Sequence, residues 1–172
     1  LYLGYGHTAR GLTYGFGIDT KDFNEKVYDR RLMDHLAEVI YGKEFQQEAK
    51  ELHKLTENDW KLTLFTNAPI EWAGPIARAI GDEVCVACSN ADVTQGPLKP
   101  EASAYAQFPK HHTHIYVDDS LKNLGTARFL PNWKPIYFSD EFKDPRMWCP
   151  QVGTIWELCL YVNSVDQWMQ NP

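Results

Sequence analysis

IYVDDSLKNLGTA, residues 115–127, reads as a short apolar strand that ends on two carboxylates and passes at once into a helix. Ile115–Val117 is β-branched and aromatic, and too short for a buried helix. Ser120 has the side chain of a helix cap, and helical text continues from it to about Phe129. The same grammar recurs on both sides. Leu62–Phe65, Val84–Cys88 and Ile136–Phe138 are further apolar runs, and an amphipathic helix from Ile70 to Ile80 lies between the first two. Spacers of about twenty residues between successive strands are the signature of βα units, so an α/β fold with a parallel sheet is predicted. Right-handed crossovers place the helices against that sheet. Ligands in such folds bind beyond the carboxyl ends of the strands, which directs attention to Thr66 and Asn67 and to Asp118 and Asp119.

Upstream, the style differs. Residues 1–57 are helical text without a convincing strand, broken near Gly15 and Gly17 and restarted at Asp19 or Asp22. The expected organisation is a helical segment over 1–57 and an α/β core over 58–172. The Pro-rich stretch from Pro131 to Pro150 reads as an irregular covering loop. At 172 residues, 44% hydrophobic and 23% charged, the chain has the balance of one ordinary folded domain. A formal net charge of -6 with no basic run argues against a nucleic-acid partner. No apolar run is long enough to span a bilayer, and a soluble protein of cytoplasm or organelle interior is expected. The chain opens on Leu1 rather than Met, so an upstream segment is expected and the compartment stays open. Cys85 and Cys88 form a C-x-x-C on a predicted strand, where residues three apart face opposite sides; buried core thiols are expected there rather than a metal or redox pair.

Each candidate site residue has two readings. Asp118 and Asp119 offer the oxygen ligands that Mg²⁺ prefers, and equally the start of a capped helix. Thr66 with the backbone of Asn67 suits an anion at a helix start, or a plain turn. Lys99, in GPLKP, is a cation aimed by two flanking prolines, or a surface lysine. Asn123, one turn into the helix after the acidic pair, either ties that loop down or faces solvent. His111, His112 and His114 precede the strand and so lie at the end away from Asp118. Trp133, Trp148, Trp156 and Trp168 suit core packing, and those left exposed suit docking onto a protein partner.

Taken in order, LFTNAP, GPLKPEASAY and IYVDDSLKNLGTA resemble the later motifs of the haloacid-dehalogenase-like hydrolase superfamily. LYLGYGHTARGL and DFNEKVYDRRL are similar to the helical cap of its pyrimidine 5'-nucleotidase-like members, through Tyr5, Gly6, Thr8, Gly11 and Leu12. The resemblance implies a Rossmann-like core with an N-terminal helical cap segment, and Mg²⁺-dependent hydrolysis of a small phosphorylated metabolite through an aspartyl-phosphate. It further implies that Thr66 and Asn67 bind the phosphoryl group, that Thr66 and Lys99 stabilise the charge developing on it, and that Asp118 and Asp119 hold the metal. The family's nucleophilic aspartate and its acid/base partner sit in an Asp-x-Asp-x-Thr motif on the first strand. The chain contains no Asp-x-Asp, and Asp19-Thr20 follows no apolar strand. Losing that central strand leaves backbone groups to be satisfied elsewhere. Two functions follow: a phosphatase whose nucleophile lies upstream, or a catalytically inactive subunit or docking element of a larger assembly. After the acidic motif, Arg128–Trp133 with Pro131 replaces the small, glycine-containing stretch usual in that subfamily.

Overall fold

A computed structural model describes residues 7–88, 96–141 and 146–170, and the chain folds as two compact units, Leu1–Lys99 and Pro100–Pro172. In the first unit, α1 (Thr8–Phe16), α2 (Thr20–Val27), α3 (Arg30–Ile40) and α4 (Lys43–His53) form the helical stretch read from the sequence. Their ends follow local chemistry. Gly17 takes the left-handed conformation, with φ 67°; its N–H donates to the Thr13 carbonyl and the Ile18 N–H to the Leu12 carbonyl, closing α1. Gly15 causes no break, because α1 runs through it and the stop needs only one residue at positive φ. Asp19 starts α2 by accepting a hydrogen bond from the Asp22 N–H at 3.0 Å, and Asp29 starts α3 in the same way from Leu32 at 2.9 Å. Asp22 therefore lies inside the first turn of α2. Tyr5 and Gly6 lie outside the described residues.

Two strands complete this unit. β1 (Thr63–Thr66) pairs in parallel with β2 (Cys85–Cys88), Thr63 opposite Cys85 and Thr66 opposite Cys88. α5 (Ile70–Ile80) is the crossover between them and lays its small buried residues Ala73, Gly74 and Ala77 inward. Cys85, expected to be buried, is exposed: it opens β2 beside Thr63, itself exposed at the outer end of the two-stranded ladder.

The second unit begins with a single turn, α6 (Ala102–Tyr105), and continues β3 (His114–Asp118), α7 (Leu121–Ala127), β4 (Trp133–Phe138), β5 (Gln151–Val152) and α8 (Ile155–Gln170). The strands form one parallel sheet in the order β3-β4-β5. Leu124 and Ala127 of α7 and Ile136 of β4 are 0% exposed, and Val152, Leu158 and Val162 are also buried. The stretch expected to be loop carries β4, whose Pro135 disguised it. The N–H groups of Tyr137 and Ser139 point to the β5 side and meet the carbonyls of Pro150 and Val152. Pro135 shares their parity, so its missing donor falls on that side just before β5 begins, where no ladder bond is lost. Asn132, with φ 65°, turns the chain into β4 and donates from its side chain to the Lys110 carbonyl at 2.9 Å. Asn suits this position because it tolerates the left-handed region better than other non-glycine residues.

The fold is thus α/β with short parallel sheets, and no described helix is long and apolar enough to cross a membrane. Leu124→Ala and Ile136→Ala each empty a fully buried position, and each is expected to lower unfolding free energy by about 2–5 kcal/mol. Urea denaturation checks this; a loss below about 1 kcal/mol at both positions would mean that α7 does not pack on β4 as described.

Candidate functional site

The predicted site residues fall into two local groups, one in each unit. In the first unit, β1 ends at Thr66, and the chain turns immediately because the Thr66 hydroxyl accepts the Ala68 N–H at 3.0 Å. A hydroxyl can accept there and still donate its own proton. Asn67 uses its whole amide on one peptide: Nδ2 donates to the Lys99 carbonyl and Oδ1 accepts the Lys99 N–H, both at 2.9 Å. Lys99 is 9% exposed, and its Nζ donates to the Phe65 carbonyl at 2.8 Å while lying 5.0 Å from the Phe65 ring centroid. A carbonyl fixes an ammonium in place without cancelling its charge. Thr66, Asn67 and Lys99 are therefore brought together at the carboxyl end of β1. The Asn67 side chain clasps the lysine's backbone.

In the second unit, β3 ends on Asp118, which is 8% exposed. Its Oδ1 accepts from the Ser120 N–H at 2.8 Å and from Asn123 Nδ2 at 3.0 Å; its Oδ2 accepts from Tyr116 at 2.5 Å and from Asn123 Nδ2 at 3.1 Å. Three donors from its own stretch of chain thus hold this carboxylate. Asn123 is the tie rather than an exposed helical residue. Asp119 is exposed and has no side-chain partner among the described residues. The two aspartates differ accordingly: Asp118 holds the loop in shape, and Asp119 is the carboxylate open to a cation. Among the described residues no three His, Cys, Asp or Glu side chains gather as a metal cage.

Tyr116 was not singled out from the sequence, although it lies two residues before Asp118 on the same strand and hence on the same face. Burial, then the charge and hydrogen bond of Asp118, push its hydroxyl pKa far upward. Beside it Tyr105 donates to the Asn123 carbonyl at 2.9 Å, and burial raises its pKa to about 12. The rings of Tyr105, Tyr116 and Trp133 meet edge to face, with centroids 5.2–5.6 Å apart. Trp133 is thus core. Trp148 carries Arg128 at 5.0 Å over its ring, Trp156 is 61% exposed, and the side chain of Trp168 lies outside the described residues. His114 opens β3, at the end away from Asp118, with its ring 4.8 Å from that of Trp133. Asp19, the one Asp-Thr position, is occupied as the α2 cap.

Comparison with protein-family models, with curated proteins and with solved structures finds no match. The assignment of function therefore rests on the residues themselves.

Tyr116→Phe removes one charge-assisted hydrogen bond to a buried carboxylate and is expected to destabilise the protein by about 1.5–3 kcal/mol. The pH dependence has a definite sign. Both tyrosines have pKa values raised in the folded state, so the stability they contribute is complete below about pH 10, the unfolded value, and is lost as pH rises beyond it. Denaturation at pH 8, 10 and 11 should show that decline, shallower in Tyr116→Phe; a decline of equal slope in both proteins would remove Tyr116 from the network.

Proposed function

We propose that the chain is the phosphate-and-metal framework of a haloacid-dehalogenase-like phosphatase with a Rossmann-like core. The substrate class is a nucleotide-like or other small phosphomonoester, and the aspartyl nucleophile would come from an upstream strand. The observation that carries this reading is the Asn67 clasp, which commits an entire side chain to fixing Lys99 beside Thr66 at a parallel strand's carboxyl end. A lysine kept only for solubility has no need of a buried seat. In this reading Thr66 donates to a phosphoryl oxygen, the Asn67 main chain lines the same oxygens, and Lys99 offsets the charge that builds on them during transfer. Asp119 is the residue that would hold Mg²⁺, with Asp118 shaping the loop behind it. That fits a cation that keeps most of its water and takes one or two carboxylates. Mg²⁺, when bound, would supply positive charge at Asp119.

A second reading, a catalytically inactive docking element, is favoured by one feature. Trp156 and Leu160 are one turn apart on α8 and are 61% and 50% exposed. An aromatic and an aliphatic side chain on one exposed helix face suit a protein partner better than solvent.

Calorimetry separates the two. The 172-residue chain, which carries no Asp-x-Asp, is expected to bind inorganic phosphate in the presence of Mg²⁺ without hydrolysing monoesters. Lys99→Ala should weaken that binding at least tenfold, and Asp119→Asn should weaken Mg²⁺ binding measured on its own. Absence of phosphate binding to the folded chain would overturn the phosphatase reading and leave the docking one.

A further inference from the structure

In the second unit, α7 buries Leu124 and Ala127 and turns Leu121, Gly125 and Arg128 outward. These three are spaced four and three residues apart, which places them on one face. Leu121 and Arg128 are exposed. Beyond its own helix backbone and chain neighbours, no atom lies within 4 Å of where a Gly125 Cβ would stand, so the strip between them is open. The helix end is hydrogen-bonded: the Arg128 N–H donates to the Leu124 carbonyl at 2.9 Å and the Phe129 N–H to the Thr126 carbonyl at 3.2 Å. The centre of the Arg128 guanidinium lies 5.0 Å from the Trp148 ring centroid and 5.9 Å from that of Phe129. Trp148 is 37% and Phe129 83% exposed. Among the described residues no hydrogen bond or ion pair engages this guanidinium. Cys149 nearby is no counter-ion, because burial raises its thiol pKa against the opposing effects of the Tyr137 backbone and the Arg128 charge.

We infer that this face docks an acidic segment of a protein partner, one Asp or Glu carboxylate seated on Arg128 and its apolar neighbours covering Phe129, Trp148 and the Gly125 strip toward Leu121. A guanidinium brings five donors in a rigid fork and pairs with a carboxylate through two of them. The rings attract its charge and accept none of those donors as a carboxylate would, so the fork stays available to an incoming anion. Charge decides part of the occupant's class. A single guanidinium in a chain of net charge -6 suits one carboxylate and argues against a polyanion such as nucleic acid. The apolar surroundings decide the rest. Phe129, Trp148 and Leu121 call for aliphatic or aromatic cover, which an inorganic anion lacks and a peptide supplies. Such cover also keeps water from the ion pair, and Arg beside Trp is the pairing that most often dominates protein interfaces. The inference is independent of the phosphate reading of Lys99.

Panning a phage-displayed library of random short peptides on the intact chain tests this. The expected clones carry Asp or Glu beside an aromatic or aliphatic residue and lose binding to Arg128→Gln. In a synthetic copy of such a clone, replacing the carboxylate by its amide should weaken binding about tenfold, the size of one charge-assisted hydrogen bond. In ¹⁵N spectra of the parent protein, the Arg128 Nε–H and the Trp148 indole N–H should shift with the acidic peptide. Gly125→Leu separates docking from folding, because it fills the strip while a helix interior accepts Leu better than Gly. Peptide binding should fall by about fivefold or more while the urea midpoint holds or rises. Three results would each overturn the inference. The first is a panning that yields no clones, clones without a carboxylate, or clones that bind Arg128→Gln as they bind the parent. The second is a parent chain that sediments as a dimer and separates as Arg128→Gln, which would make the face a contact between copies. The third is a shift of the same two N–H signals with adenosine monophosphate and not with peptide, which would make it a small-anion site.

Discussion

The Asp118 carboxylate is buried and accepts hydrogen bonds from three neighbours in its own stretch of chain. The geometry of the second unit hangs on those bonds. Tyr116 reaches it from the same strand, Ser120 from the turn and Asn123 from the first turn of α7, so one side chain fixes where β3 stops and where the helix begins. Tyr105 extends the network to α6 through the Asn123 carbonyl. Buried charge is costly unless it is hydrogen-bonded, and here the loop's own sequence supplies several of those bonds. The adjacent Asp119 is thereby presented on a backbone that cannot easily relax.

The first unit solves a similar problem with a neutral group. Asn67 pairs with both polar atoms of the Lys99 peptide, much as one more rung of a strand ladder would. The lysine is held by its main chain, and its ammonium is then aimed by the Phe65 carbonyl and ring. Its main chain and its ammonium are thus held by different neighbours.

Much of the α/β pattern was legible because short β-branched runs, a three-to-four-residue helical period and side-chain caps are local signals. The helix Ile70–Ile80 and the Asp19 cap are read directly, and β1, β2 and β3 are found to within a few residues. β4 was only half visible, since Pro135 and Pro131 speak for loop; its tolerance depends on where β5 begins, which is a tertiary fact. β5 itself is two residues long and has no period to detect. Among the site residues, the sequence located Thr66, Asn67, Lys99 and the aspartates but did not assign their partners. That Asn67 serves Lys99 and that Tyr116 serves Asp118 are contacts, across 32 residues in one case and across one face of a strand in the other.

Pro135 has a consequence beyond its own strand. β5 covers β4 for two rungs, and upstream of them β4 turns a short rim outward. A rim of that kind is a template on which a second chain can add itself, residue by residue, toward fibrous aggregation. By withholding the N–H that an incoming strand would need first, the proline leaves that template without its opening rung. The residue that hides β4 from sequence reading also guards it against misassembly.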